Sequence, residues 1–161
     1  MDTTTQPFTI EISGLSELAG FAEKLASGLA PGDVLALSGP MGAGKTTLIQ
    51  RLGNALGICE KIVSPTFVLI HDYVSGQWPL VHIDLYRLGP ESSESIAEEI
   101  LSVIAEGRSI VAVEWAEYGE FLSPMTTVAV AIEPTGEETR HITVRTNRPG
   151  VLKALGAKVT S

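Results

Sequence analysis

Residues 39–46 read Gly-Pro-Met-Gly-Ala-Gly-Lys-Thr, and Gly39, Gly44, Lys45 and Thr46 meet the spacing G-x-x-x-x-G-K-[ST]. Such a loop binds phosphate. Its glycines let the backbone curl until several N–H groups point at one anion, and Gly42 adds another residue without a β-carbon. Met41, Ala43 and Thr47 complete the expected cradle. A helix opening near Lys45 aims the positive end of its dipole at the same place. Lys45 reaches the β- and γ-phosphates, and the Thr46 hydroxyl is placed to ligate Mg²⁺. The chemistry implied is binding of Mg²⁺–ATP by a P-loop.

A P-loop enzyme also needs an acid near the Mg²⁺ and a group that orients the attacking water. Both belong at the carboxyl ends of strands beside the loop. Leu80-Val81-His82-Ile83 leads into Asp84, and Ile110-Val111-Ala112-Val113 leads into Glu114. The shorter Asp84 suits a fixed metal ligand, direct or through water. The longer Glu114 suits a proton acceptor or the holder of a metal-bound water. Trp115 either shapes the pocket or only covers the sheet end. Ser64-Pro65-Thr66 precedes the next strand. Thr66 fits a γ-phosphate sensor, and equally a plain loop-to-strand junction. His71, His82 and His141 lack metal-ligand spacing and read as ordinary neutral side chains.

The elements that must position these groups follow from periodicity. Phe8–Ile12 alternates as a strand. Leu15, Leu18, Ala19, Ala22, Leu25, Ala26 and Leu29 repeat at helical spacing behind a Ser13 or Ser16 cap, and Pro31-Gly32 ends that helix. Val34–Leu37 is a buried strand before the loop. A second helix runs from Lys45 to about Leu56. Phe67–Tyr73 and Leu80–Leu85 flank Gly76-Gln77, which suits a tight turn with glycine first and sets His71 opposite His82. Ser92 or Ser93 caps a third helix whose inner face is Ile96, Ile100, Val103 and Ile104. Ile110–Val113 is another buried strand. Thr127–Ile132 and His141–Thr146 form a last pair. The expectation is one α/β domain over 1–150, a P-loop NTPase-type three-layer sandwich with a mixed central sheet flanked by helices, followed by a frayed or weakly helical tail over 151–161.

Bulk properties narrow the function. The 161 residues are 44% hydrophobic and 19% charged, which suits one folded domain. The formal net charge of −8 opposes autonomous nucleic-acid binding, so any service to RNA would run through a partner. No apolar run nears membrane-spanning length, and the first residues lack signal-peptide character, so a cytoplasmic location is expected. The single cysteine, Cys59, excludes an internal disulfide and reads as a small packing residue.

With these residues in place, the chain resembles the bacterial TsaE (YjeE) family of ATPases of tRNA threonylcarbamoyladenosine biosynthesis. The resemblance rests on Gly39–Thr47, Ser64-Pro65-Thr66-Phe67, Asp84-Leu85-Tyr86-Arg87-Leu88 and Glu114-Trp115, in that order, across roughly residues 13–145. It implies an ATPase acting with the TsaB–TsaD pair and meeting tRNA only through that complex. Lys45 and Thr46 would hold phosphate and Mg²⁺, and Asp84 and Glu114 would organise metal and water. Thr66 would belong to a switch-like loop, and Arg140 falls where the family often has an arginine near the nucleotide. Two departures stand out. Pro40-Met41 replaces the family's usual Asp-Leu, and Ser92-Ser93-Glu94-Ser95 replaces acidic and glycine residues.

Other uses of the same loop fit less well. A small-molecule kinase needs an arginine-bearing lid, for which this chain has little material. A GTP switch of the usual type needs Asn-Lys-x-Asp, which is absent. A non-catalytic nucleotide-binding adaptor predicts that Glu114→Gln leaves biological output intact.

Overall fold

The computed structural model describes residues 7–65, 69–89 and 94–157. In chain order they form β1 (Phe8–Ser13), α1 (Gly14–Gly28), β2 (Val34–Ser38), α2 (Lys45–Ala55), β3 (Ile70–Tyr73) and β4 (Leu80–Asp84). These are followed by α3 (Glu94–Glu106), β5 (Ile110–Glu114), β6 (Val128–Pro134), β7 (Thr139–Thr146) and α4 (Pro149–Leu155). The strands make one sheet in the order β1-β7-β6-β2-β5-β4-β3. β6, β2, β5 and β4 run parallel, while β7, β1 and β3 are antiparallel to their neighbours. The mixed sheet expected from hairpins plus buried strands is therefore present.

The apolar periodicities become two cores. On one face Leu18, Phe21, Ala22 and Leu25 of α1 meet Leu48, Ile49 and Leu52 of α2 over Leu35, Leu37, Val130 and Ile142. On the other face Ile100 of α3 is fully buried against Val81, Ile83, Val111 and Val113, with Ile96, Val103 and Ile104 packed at its margins. β4 and β5 carry buried side chains on both faces, which is why they read as unbroken apolar runs.

Four expectations need correction. The tail expected to be frayed or weakly helical from residue 151 is a packed helix over Pro149–Leu155. Pro149 occupies the first turn of α4, and Val151, Leu152 and Leu155 are buried, so the helix covers apolar surface that would otherwise face water. Gly76 does not adopt the positive φ of a primed hairpin turn. Its missing β-carbon instead admits Leu56 O, which would lie 2.6 Å from one, and Gln77 N–H donates to that same carbonyl at 2.7 Å. The hairpin is thereby pinned to the end of α2, yet the register still sets His71 opposite His82. Cys59 is exposed rather than packed. Ser13 occupies the N-cap of α1, but its side chain makes no cap; its N–H donates to the Glu17 carboxylate at 2.7 Å. The proposed caps Ser92 and Ser93 lie outside the described residues, as does Thr66.

Candidate functional site

Strand order creates the site. β2 lies at the middle of the sheet with β5 directly beside it and β4 one strand further. Leu37 is in register with Glu114, and Glu114 with Asp84. The glycine loop and both acids therefore leave the sheet at the same edge. Sequence alone does not place β5 between β2 and β4.

The loop's shape depends on left-handed glycines. Gly39, Gly42 and Gly44 have φ of 148°, 76° and 108°. At Gly39 a β-carbon would also sit 2.5 Å from the backbone oxygen of Ile132, so β6 presses directly on the loop. Pro40 and Met41 point their side chains outward, with Met41 68% exposed, while the Pro40 carbonyl accepts the Ala43 N–H at 3.1 Å. Met41 thereby lines the mouth of the cleft beside the loop. Leu48 N–H donates to Gly44 O at 2.9 Å and carries the loop into α2.

Lys45 is buried. Its Nζ donates to the carbonyls of Gly39 at 2.5 Å and Pro40 at 3.0 Å, and lies 3.8 Å from the centre of the Trp115 ring. Burial lowers its pKa from the ordinary lysine value, and the carboxylates of Glu117, Glu114 and Asp84 act in the opposite sense. Trp115 has φ 56°, the one non-glycine in the left-handed region among the described residues. An L-residue there costs about 1–2 kcal/mol, and such strain collects at functional sites. The indole stacks on Tyr118 at 5.5 Å and leans on Tyr86 at 4.9 Å. Trp115 thus shapes the site, the first of its two sequence readings.

The acids are held firmly. The Thr46 hydroxyl donates to Glu114 Oε1 at 2.6 Å. Glu114 Oε2 lies 2.6 Å from His82 Nε2, and both residues are buried. Ser64 Oγ–H donates to Asp84 Oδ2 at 2.8 Å, and Tyr86 N–H donates to Oδ1 at 2.9 Å. Arg140 comes from β7 and donates through Nε to Ala43 O at 2.9 Å, bracing the loop from behind. Its Nη1 donates to Thr139 O at 2.9 Å.

Two hollows flank these groups. A cleft of about 330 Å³ runs from Met41 and Gly42 past Lys45 and Thr46 to Ser64, Asp84, Glu114 and Trp115. On the other side of Gly44 and Thr47, a hollow of about 220 Å³ has apolar walls from Leu15, Leu18 and Ile132 and a polar end at Glu137, Glu138 and Arg140. The described site residues predicted from sequence therefore converge on one sheet edge. Three further residues at the site are not legible as such in the sequence. Ser64 reads only as Thr66's neighbour, and Tyr86 acts through its backbone. His82 reads as an ordinary neutral side chain, although it lies two residues before Asp84 on the same strand face.

A mixed sheet with a glycine loop between its central strand and an amphipathic helix, and acids on the adjoining strands, is a P-loop NTPase fold. Residues 12–142 match the family described as threonylcarbamoyl adenosine biosynthesis protein TsaE. The chain belongs to that family. It is 44% identical over 117 residues to the tRNA threonylcarbamoyladenosine biosynthesis protein TsaE of Nostoc sp., covering 70% of each chain. With the Bacillus subtilis protein of the same name it shares 37% over 127 residues, covering 79% of this chain and 78% of the relative. The crystal structure of Bacillus subtilis YdiB superposes with a TM-score of 0.74 at 25% identity, covering 94% of this chain and 95% of that one. No helix among the described residues is long and apolar enough to cross a membrane.

Proposed function

We propose that this chain binds Mg²⁺–ATP and hydrolyses it in support of tRNA threonylcarbamoylation, working with TsaB- and TsaD-type partners in the cytoplasm and meeting tRNA only through them. The observation that carries the nucleotide reading is the convergence of Lys45, Thr46, Glu114 and Asp84 on one cleft under the glycine loop. Loop N–H groups and Lys45 take the phosphates, and the hollow beyond Thr47 suits the nucleoside, with apolar walls for a base and polar groups for a ribose.

Mg²⁺ takes hard oxygen ligands, and the residues present fit it. The Thr46 hydroxyl spends its hydrogen on Glu114, which leaves its lone pairs for a cation. Thr46 would hold the ion, with Glu114 and Asp84 engaging its waters. Bound there, the ion would neutralise charge on the phosphates. To move towards phosphate, Lys45 must exchange its bonds to Gly39 and Pro40 for phosphate oxygens. Asp84, beside Ser64, faces the cleft and can orient a water. The large net negative charge supports a protein partner rather than direct contact with tRNA.

The test measures nucleotide affinity and ATP turnover for wild type, Lys45→Ala and Glu114→Gln. It also measures tRNA threonylcarbamoylation by the partner proteins with and without this chain. Lys45→Ala should abolish binding, and Glu114→Gln should keep Mg²⁺-free nucleotide binding but lose turnover. Full turnover by Glu114→Gln would remove that carboxylate from the mechanism. Modification that proceeds equally well without the chain would sink the tRNA assignment.

A further inference from the structure

His82 is wholly buried on β4, the next-to-last strand of the sheet, between the edge strand β3 and β5. Its register partner on β5 is Ala112, whose small side chain leaves room for an imidazole. Leu80 and Ala112, on the same face as His82, belong to the apolar core shared with α2. Its register partner on β3 is His71, but among the described residues the side-chain hydrogen bond of His82 goes to Glu114 alone. A leucine of similar volume would fill the space and would not leave a nitrogen unpaired, whereas His82 Nδ1 has no hydrogen-bond partner among the described residues. The imidazole's specific contribution is its other nitrogen, 2.6 Å from Glu114 Oε2.

We propose that His82 is a positioning residue for nucleotide hydrolysis, holding the Glu114 carboxylate in the one orientation that presents its second oxygen to the Thr46 hydroxyl. This deepens the proposed ATPase reading and rests on it. The chain of contacts is short. His82 Nε2–H donates to Oε2, Thr46 Oγ1–H donates to Oε1, and the carboxylate is fixed at both ends. The Nε2–H tautomer follows because a carboxylate acceptor needs a donor, and a bare Nδ1 lone pair in an apolar core costs less than a bare N–H. A charge-assisted bond of this length is among the stronger ones available to a side chain. Without it, a buried carboxylate oxygen loses its partner, and the side chain swings towards the cleft to recover solvent. Thr46 then loses the acceptor that aims its lone pairs outward. Partners one step removed from a metal-binding group typically matter by about 10–100-fold in affinity or activity.

The experiment compares His82→Leu, which removes the donor, with His82→Gln, whose amide N–H₂ can reach the same oxygen. Nucleotide affinity is measured with and without Mg²⁺, alongside ATP turnover and thermal stability. His82→Leu should lose about 10–100-fold in turnover and in the Mg²⁺-dependent part of nucleotide affinity, while Mg²⁺-free affinity stays within about twofold. His82→Gln should recover most of both. Adding His82→Leu to Glu114→Gln should cost little more in Mg²⁺-dependent affinity, because both changes weaken the same bond. A further arm needs no nucleotide. Imidazole ¹⁵N and ¹H NMR of the free protein should show one protected Nε2–H, far downfield, that moves upfield in Glu114→Gln.

Turnover and Mg²⁺ dependence in His82→Leu equal to wild type would overturn the proposal, as would losses of Mg²⁺-dependent affinity fully additive with Glu114→Gln. So would an imidazole signal indifferent to that substitution. If stability falls in both His82 variants but Mg²⁺-dependent affinity tracks stability alone, His82 is only a core residue. Absence of ATP turnover in wild type would defeat the ATPase reading, while the NMR and Mg²⁺-dependent affinity would still decide the role of His82.

Discussion

The same substitution, Gly→Ala, should act with opposite sign at two positions eight residues apart on α1. At Gly20 an added β-carbon meets nothing within 4 Å. At Gly28 it would lie 2.7 Å from both Gly150 O and Val151 Cα and 2.9 Å from Gly150 C, all backbone atoms of α4. Alanine is favoured over glycine inside a helix by about 1 kcal/mol, and less at a helix end such as Gly28. Gly20→Ala should therefore stabilise the protein by about 0.5–1 kcal/mol. At Gly28 the clash cannot be relieved by a side-chain rotation, because only movement of α4 away from α1 makes room. Forced repacking of this kind costs about 1–3 kcal/mol, which outweighs the propensity gain and leaves a net loss of about 1–2 kcal/mol. At this chain length each kcal/mol shifts Tm by about 2–4 °C. Calorimetry should then show Gly20→Ala melting about 1–4 °C above wild type and Gly28→Ala about 2–8 °C below it. Urea midpoints should give the same order. A Gly28→Ala protein as stable as Gly20→Ala would refute the close helix contact and, with it, the placement of α4 as part of the domain.

Three further outcomes follow from the geometry. Leu155→Ala, which empties a buried position on α4, should cost roughly 2–3 kcal/mol in urea unfolding, against almost nothing for a residue in a loose tail. Arg140→Lys keeps the charge but loses the planar fork that reaches Ala43 O and Thr139 O together, so nucleotide affinity should fall about 5–10-fold by titration calorimetry. Unchanged affinity would reduce Arg140 to a surface brace. Ser64→Ala removes one of the two hydrogen bonds that hold Asp84 among the described residues, and should lower ATP turnover about tenfold with little change in nucleotide affinity.

Much of the fold could be read from local signals. The strand at Val34–Ser38, the loop and the helix from Lys45 lie where their apolar period and glycines put them, because each is specified by neighbours within a few residues. The same local logic failed where partners are remote. Val151, Leu152 and Leu155 look like a weak helix until α1 supplies a surface to bury them. Gly76 looks like a turn residue, while its actual constraint is the Leu56 carbonyl pressing from another element.

For the site, the sequence by itself determined a phosphate loop with a lysine and a threonine at fixed offsets, and two acids each ending an apolar run. Backbone geometry makes those statements local, so they needed no fold. Tertiary structure alone decided that β5 lies between β2 and β4, which brings Glu114 to the Thr46 hydroxyl and leaves Asp84 to the Ser64 side. It also turned His82 from an ordinary core histidine into Glu114's partner. Hydrogen bonds between strands 30 residues apart depend on strand order and register, and those are set by how the whole sheet closes its cores rather than by any stretch of sequence.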